Sequence, residues 1–168
     1  MKKIIYNEDK LKDEEIDEWV KRAKLLVVNS KNEILLGHTD DSYYFLGGHV
    51  DGDESDKECL IREIREEAGI DYNPELVEPF VIIKYYCKDY PQTGMNRGYI
   101  SNYYVVNDDM VVNPDNVNLT EGEKAGNLRF VYIHKDNVLD EVSPYLKICK
   151  RKNVVRDTID VLEEFLKR

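Results

Sequence analysis

The sequence predicts one mixed α/β domain, in which several strands surround a helix and a second helix closes the chain. The chain has 168 residues, and 42% of them are hydrophobic, which suits a single domain with its own core. Continuous apolar runs indicate buried strands, whereas apolar positions three and four residues apart indicate helices. We therefore expect one layered α/β or α+β domain over residues 1–168.

The first half of the chain contains an arm, two strands and a helix. Residues 1–20 are charged, and we expect an N-terminal arm or short helix there. The apolar run at residues 22–30 predicts a buried strand, and residues 33–38 predict its return. Residues 55–68 predict a helix, because apolar side chains recur on one side and Gly69 is a suitable stop.

The second half alternates strand patterns with polar loops. Residues 76–86, 98–107 and 127–134 have the apolar and aromatic content of strands. Residues 108–126 are polar and predict a loop. An amphipathic pattern over residues 153–167 predicts a C-terminal helix.

The composition limits the classes of partner. The formal net charge is −10, and a strongly acidic protein is a poor general binder of long nucleic acid or anionic membrane. No run approaches the roughly 18 apolar residues of a membrane span, and the opening residues do not resemble a secretory signal. The three cysteines form no CxxC pair, so we expect reduced thiols in a cytoplasmic protein.

Three glutamates on the predicted helix form the first candidate site. Glu63, Glu66 and Glu67 are spaced at i, i+3 and i+4, which places them on one face, where their charges repel. A divalent cation would offset that repulsion, and hard cations such as Mg²⁺ prefer oxygen ligands. The helix alone is equally compatible with a solvated surface rich in Glu and Arg. The preceding Gly47-Gly48 pair lets the backbone approach a metal or phosphate closely, or forms only a turn.

Residues 48–70 together resemble the signature of the Nudix hydrolase family, and we call them the Nudix box. The signature is glycine, five residues, glutamate, seven residues, then Arg-Glu-apolar-any-Glu-Glu-any-Gly-apolar. Its nine fixed positions are all filled, by Gly48, Glu54, Arg62, Glu63, Ile64, Glu66, Glu67, Gly69 and Ile70. The resemblance implies an α/β/α sandwich with a mixed central sheet. One departure is Leu46, since a proline often precedes the glycine pair.

The resemblance also implies a role for each box residue. Glu63 would bind the metal through water or act as the base, and Arg62 would orient a neighbouring carboxylate. The implied cofactor is Mg²⁺, with Mn²⁺ as a substitute, because such ions neutralise diphosphate oxygens and activate water. The implied metal ligands in and beside the box are Gly47 through its carbonyl, Glu54, Glu63, Glu66 and Glu67.

A glutamate late in the chain often supplies a further ligand or the base in this family. The candidates are Glu121 and Glu123, in the acidic segment 120–124. We assign Glu121 to the metal and Glu123 to catalysis, although both are also compatible with solvated loop residues. Glu63 remains the alternative base.

Contacts to the rest of the substrate involve a different set of residues. Arg97 is a candidate for phosphate, and His49 lies beside the box glycine. Tyr85 is a candidate for stacking on a base, although strand tyrosines are also typical of half-buried sheet positions.

The sequence therefore predicts a cytoplasmic, Mg²⁺-dependent hydrolase that cleaves a phosphoanhydride bond in a nucleoside diphosphate linked to another group. Four alternatives stay open: a nucleoside triphosphate pyrophosphohydrolase, an RNA 5′-end pyrophosphohydrolase, an isoprenoid-diphosphate isomerase and a non-catalytic ligand-sensing Nudix module. The intact box favours an enzyme, and the acidic charge disfavours long RNA. The expected partner is a small diphosphate compound, without long nucleic acid or membrane, and a homodimer is compatible with the sequence.

Overall fold

The computed structural model describes residues 1–168 and contains a seven-stranded mixed sheet with helices on both faces. The strands are β1 (Lys2–Tyr6), β2 (Glu18–Val28), β3 (Glu33–His38), β4 (Tyr43–Tyr44), β5 (Val81–Cys87), β6 (Arg97–Asn107) and β7 (Arg129–His134). The helices are α1 (Asp56–Ala68), α2 (Glu121–Ala125), α3 (Val138–Val142) and α4 (Lys152–Leu166).

Strand β2 occupies the centre of the sheet. The strand order is β1-β5-β6-β2-β3-β4, and β7 pairs with the other edge of β3. Strand β2 runs parallel to β6 from Glu18 to Val28, and β1 runs parallel to β5. The remaining pairs are antiparallel. Both parallel pairs join segments distant in sequence, and hairpin signals cannot predict such pairing.

The side chains of β2 alternate between two hydrophobic cores, because successive residues of a strand point to opposite faces. Leu25 and Val27 pack in the core beneath α1. Leu26 and Val28 pack in the core beneath α3 and α4. The helices therefore cover both faces of the sheet, and the predicted α/β/α sandwich is confirmed.

Helix α1, which carries the box glutamates, has defined ends. Ser55 accepts a hydrogen bond from the Glu58 amide over 3.3 Å, and the Ser55 amide donates to Glu58 over 2.8 Å, which is a capping box. Gly69 ends the helix with a φ of 70°, a conformation that favours glycine. Leu60 and Ile64 are fully buried, so the adjoining face, with the glutamates, is held in a fixed orientation.

The structure differs from the sequence prediction in three segments. The strand expected at residues 76–86 begins only at Val81. Residues 2–6 form the edge strand β1, where we expected an arm or short helix, and β2 begins at Glu18, within that expected arm. The predicted loop 108–126 contains the short helix α2. No helix in the structure is both long and apolar enough to cross a membrane.

Candidate active site

The loop that enters the Nudix box is attached directly to β2. The Leu25 amide donates to the Leu46 carbonyl over 2.9 Å, and the Ala23 amide donates to the Gly48 carbonyl over 3.1 Å. These bonds extend the sheet past the end of β3. They hold the glycine pair against the central strand, directly beside α1.

The glycine pair allows contacts that a side chain would block. Gly47 has a φ of 111°, and a Cβ added there would lie 2.2 Å from the Ala23 carbonyl oxygen. A Cβ on Gly48 would lie 2.2 Å from Oε1 of Glu63. The close approach of Gly47 to the backbone of β2 therefore requires glycine, and a side chain at Gly48 would displace the Glu63 carboxylate.

Glu67 is the most enclosed carboxylate of the site, with 4% of its surface exposed. The Gly47 amide donates to its Oε2 over 3.0 Å, and the Lys24 ammonium donates to the Gly47 carbonyl. Burial raises the pKa of Glu67, while the attraction of Lys24 and the Gly47 hydrogen bond oppose that rise. Burial likewise lowers the pKa of Lys24. The site therefore encloses two opposite charges around the Gly47 peptide.

Arg62 joins the other box carboxylates. Its Nε and Nη2 donate to both oxygens of Glu54, over 2.8 and 2.9 Å, and its Nη1 donates to Glu63 over 2.7 Å. A weaker contact of 3.4 Å reaches Glu66. The Arg62 hydrogen bonds lower the pKa of Glu54 to about 2, whereas burial raises the pKa of Glu63. One guanidinium thus fixes the positions of three carboxylates.

The box forms one wall of a cavity of about 810 Å³, a volume within the usual range of small-molecule sites. Helices α2 and α4 complete the cavity. Among the residues predicted from sequence, the cavity is lined by His49, Glu123, Gly47, Arg62, Glu63, Glu66 and Glu67. Glu54 lies outside the lining, where Arg62 binds both of its carboxylate oxygens. The cavity is polar, because carboxylates and basic side chains dominate its lining.

The two late glutamates lie in different environments. Glu123 is half-buried and lines the cavity, and its carboxylate accepts a hydrogen bond from the Thr120 amide over 2.7 Å. The side chain of Glu121 is 94% exposed and pairs with Lys124 at 3.1 Å. The structure thus brings Glu123 to the site but leaves Glu121 on the outer surface of α2.

Two predicted substrate contacts lie away from the cavity lining. Arg97, at the start of β6, pairs with Glu18 at 2.5 Å. Tyr85 is buried in the core beneath α4, and its hydroxyl donates to Asp157 over 2.5 Å. Neither side chain is placed where it could touch a ligand bound in the cavity.

Several cavity residues were not singled out from the sequence, and four of them are charged side chains used in the proposals and predictions below. Arg22 and Lys24 lie at alternate positions just before the apolar run of β2, and that pattern could have marked them, because both project to one face. Arg151 lies in a basic run that resembles ordinary surface, and Asp157 lies on an amphipathic helix. Nothing local distinguishes these two residues, since only the tertiary fold brings α4 to the cavity.

The donor chemistry of the box suits a hard divalent cation, because Glu63, Glu66, Glu67 and the Gly47 carbonyl offer only oxygen. Gly48 leaves the space beside the Glu63 carboxylate free of side-chain atoms. No three acidic, histidine or cysteine side chains converge on one point in this structure. Arg62 contacts the carboxylates of Glu63 and Glu66, and Lys24 contacts the Gly47 carbonyl. The fold and this lining define a candidate site for a divalent metal and a phosphorylated ligand.

Comparison with known families identifies the chain. The model of the NUDIX domain matches residues 12–136, which is more than half of the sequence. The chain belongs to the Nudix family, and the predicted resemblance is confirmed. The prediction of a Nudix-type pyrophosphohydrolase is confirmed at the level of the family. None of the curated proteins matches the chain.

Solved structures share the fold at low sequence identity. A MutT protein from Methanosarcina mazei is 17% identical with a TM-score of 0.55, covering 90% of this chain and 97% of its own. A NUDIX hydrolase from Nitrosomonas europaea is 17% identical with a TM-score of 0.56, covering 88% of both chains. An Ap4A hydrolase from C. elegans is 19% identical with a TM-score of 0.52, covering 88% of this chain and 96% of its own. At such identities the likeness describes the fold.

Proposed function

We propose that the chain is a Mg²⁺-dependent pyrophosphohydrolase, with Mn²⁺ as a substitute, that cleaves the phosphoanhydride of a nucleoside diphosphate linked to another group. The observation that carries this proposal is the wall of the cavity, where the box glutamates, the Gly47 carbonyl and the glycine pair meet. A volume of about 810 Å³ accommodates a substrate with both a phosphate part and an organic part.

The box residues divide the work of binding and activation. Glu66, Glu67 and the Gly47 carbonyl would hold the metal, with Glu54 in support and Arg62 fixing the carboxylate positions. A bound divalent ion supplies charge neutralisation for the diphosphate oxygens and lowers the pKa of water. The chain itself would supply positioning and electrostatic stabilisation, which dominate phosphoryl transfer.

Two groups are candidates for accepting the proton of the attacking water. Glu63 is held by Arg62 within the box, and burial raises its pKa, which makes the carboxylate a stronger base. Glu123 faces the cavity from α2, outside the box. A base on this element can reach a water that α1 does not approach. We favour Glu123 and keep Glu63 as the alternative.

Basic side chains line the cavity and suit the phosphates. Arg22 and Arg151 both line it, and a guanidinium matches phosphate oxygens in a bidentate manner. They replace Arg97, which pairs with Glu18, as the proposed phosphate contacts.

The proposal is tested by hydrolysis of a substrate panel. Nucleotide sugars, ADP-ribose, NADH, dinucleoside polyphosphates and nucleoside triphosphates are incubated with Mg²⁺, with Mn²⁺ and with chelator. We expect a nucleoside monophosphate and a second phosphorylated product from at least one linked nucleoside diphosphate, and no turnover with chelator. Turnover confined to triphosphates would favour the alternative of a nucleoside triphosphate pyrophosphohydrolase. Activity that survives exhaustive chelation would overturn the mechanism.

A further inference from the structure

The wall of the cavity formed by α4 carries a buried carboxylate. Asp157 lines the cavity, although only 8% of its surface is exposed. Its neighbours in the lining, Ser101 and Tyr103 on β6 and Thr158 on α4, are exposed by 4% or less. This part of the cavity lining is thus buried and polar, and it contains one carboxylate.

The Asp157 carboxylate has fewer partners than it can accept. The Tyr85 hydroxyl donates to Oδ1 over 2.5 Å, and the Tyr103 hydroxyl donates to Oδ2 over 3.4 Å. A carboxylate accepts about four hydrogen bonds, and Asp157 belongs to none of the ion pairs of the structure. Burial and the charge of Asp160 raise its pKa to about 6, while Tyr85, Tyr103 and the more distant Arg22 favour the charged form. Acceptor capacity therefore remains at a buried position that faces the cavity.

A purely structural role explains only part of this arrangement. One turn later on α4, Asp160 accepts a hydrogen bond from Tyr6 on β1, and that pair attaches the helix to the sheet. Tyr6 also stacks on Tyr85 at 4.6 Å. Asp160 does not line the cavity, however, whereas Asp157 does. Attachment of α4 therefore does not require an acidic group on the cavity wall.

The charge of Asp157 limits what can bind beside it. A phosphate in direct contact with the carboxylate would be repelled, so the phosphates of a ligand belong at the box and the guanidinium groups proposed above, away from direct contact with Asp157. A neutral group that carries N–H or O–H donors fits the remaining acceptor sites. The family match ends at residue 136, so this wall is contributed by a segment outside the matched region.

We propose that Asp157 is a specificity-determining residue that accepts hydrogen bonds from the neutral, non-phosphate part of the substrate. The donors are either the hydroxyls of a sugar or the amino edge of a nucleobase. This inference rests on the proposed function, because it takes the phosphates of the substrate to lie at the box. Hydrogen bonds between Asp157 and the ligand would determine which ligand binds, without contributing to the attack on phosphorus.

Binding of reaction products tests the inference separately from hydrolysis. Calorimetry with Mg²⁺ measures the affinity of AMP, GMP and ribose 5-phosphate for the wild type, Asp157→Asn and Asp160→Asn. The Asp157→Asn variant keeps an acceptor for Tyr85 but presents an amide to the ligand. We expect it to lose at least about tenfold in affinity for one or more ligands, and Asp160→Asn to bind like the wild type. Should Asp157→Asn fold poorly, Asp157→Ser, with the same expected loss, replaces it.

The three ligands distinguish the sources of the donor. An equal loss for ribose 5-phosphate assigns the contact to sugar hydroxyls, and a loss confined to a nucleotide assigns it to the base. With a substrate from the panel, Asp157→Asn should raise KM and leave kcat within a few-fold. The inference fails if Asp157→Asn binds all three ligands like the wild type, if Asp160→Asn loses as much, or if no ligand binds the wild type. Absence of hydrolysis by the wild type would instead refute the proposed function.

Discussion

Glu67 is only 4% exposed, and we also expect its carboxylate to bind the metal ion. Its only direct hydrogen-bond donor is the Gly47 amide, at 3.0 Å. A carboxylate so enclosed carries an unfavourable desolvation energy. Replacement by glutamine keeps the shape and removes the charge, which separates a functional cost from a structural one.

We expect Glu67→Gln and Glu66→Gln each to lower kcat by on the order of 10²-fold, the scale for loss of one preorganised charged group. Both variants should remain folded, because carboxylate repulsion on α1 decreases. Steady-state kinetics and urea unfolding measure the two effects. Glu58→Gln is the matched control, since glutamine also serves in a capping box and Glu58 lies outside the cavity lining. Unfolded variants with normal activity in the folded fraction would show that these glutamates are structural.

Lys24 is the counterpart of Glu67 on β2. Its ammonium donates to the Gly47 carbonyl and attracts Glu67, so it stabilises the glycine pair against the box helix. A methionine at this position would fill similar space without the charge. Glu67 would then have no cation close to it on β2.

We expect Lys24→Met to lower the free energy of unfolding by roughly 1–3 kcal/mol, as for a buried polar group left without its partner. The double variant Lys24→Met/Glu67→Gln should recover part of that loss, because the unpaired charge is removed as well. Urea denaturation of the four members of the cycle measures the coupling, with Lys21→Met, exposed on the same strand, as the control. Additive effects would mean that the two charges do not interact.

At the level of elements, α2 separates two glutamates that are almost adjacent in sequence. Glu123 faces the cavity, whereas the Glu121 side chain is 94% exposed. In the loop that was predicted here, neither glutamate could be assigned to the inner or the outer side. The sequence prediction therefore assigned a role to both residues. The helix turns one carboxylate inward and the other outward, which makes them a natural pair for comparison.

We expect Glu123→Gln to lower kcat on the order of 10²-fold with KM within a few-fold, because general-base catalysis contributes on that scale. Glutamine preserves the capping contact with Thr120. Glu121→Gln serves as the control and should retain full activity. Kinetics of both variants on the panel substrate provide the measurement. Full kcat in both would make Glu63 the better candidate for the base.

The sequence predicted α1 from local signals and missed β1, which depends on a distant partner. It also missed α2, although Thr120 and Glu123 form a capping box, because five residues are too few to show a helical period. Helix α1 was expected at residues 55–68 and extends over Asp56–Ala68, since capping and periodicity lie within it. Strand β1 was missed, because its only partner is β5 and its five residues carry no pattern of their own. The box residues could be identified together because they lie within one short segment of the sequence. Asp157 could not, because it reaches the cavity only through the packing of α4.

The whole molecule should respond to the metal even without substrate. A ligand that binds only the folded state stabilises it by mass action, so Mg²⁺ should raise Tm by a few degrees. Differential scanning fluorimetry in MgCl₂, against NaCl at equal ionic strength, measures this shift. The Glu67→Gln variant should show a much smaller shift. An equal shift in wild type and variant would place the Mg²⁺ effect outside the box.

The family match includes the Nudix box but not the last helix, and this separation bears on how the protein can evolve. The Nudix box lies within residues 12–136, whereas α4, which completes the cavity, begins at Lys152. On the proposed role of Asp157, mutations in the last helix would change which compound is accepted and leave the residues of the box unchanged. A combinatorial library limited to the cavity-facing positions Val154, Asp157 and Thr158 would test this, and we expect its members to differ in substrate preference.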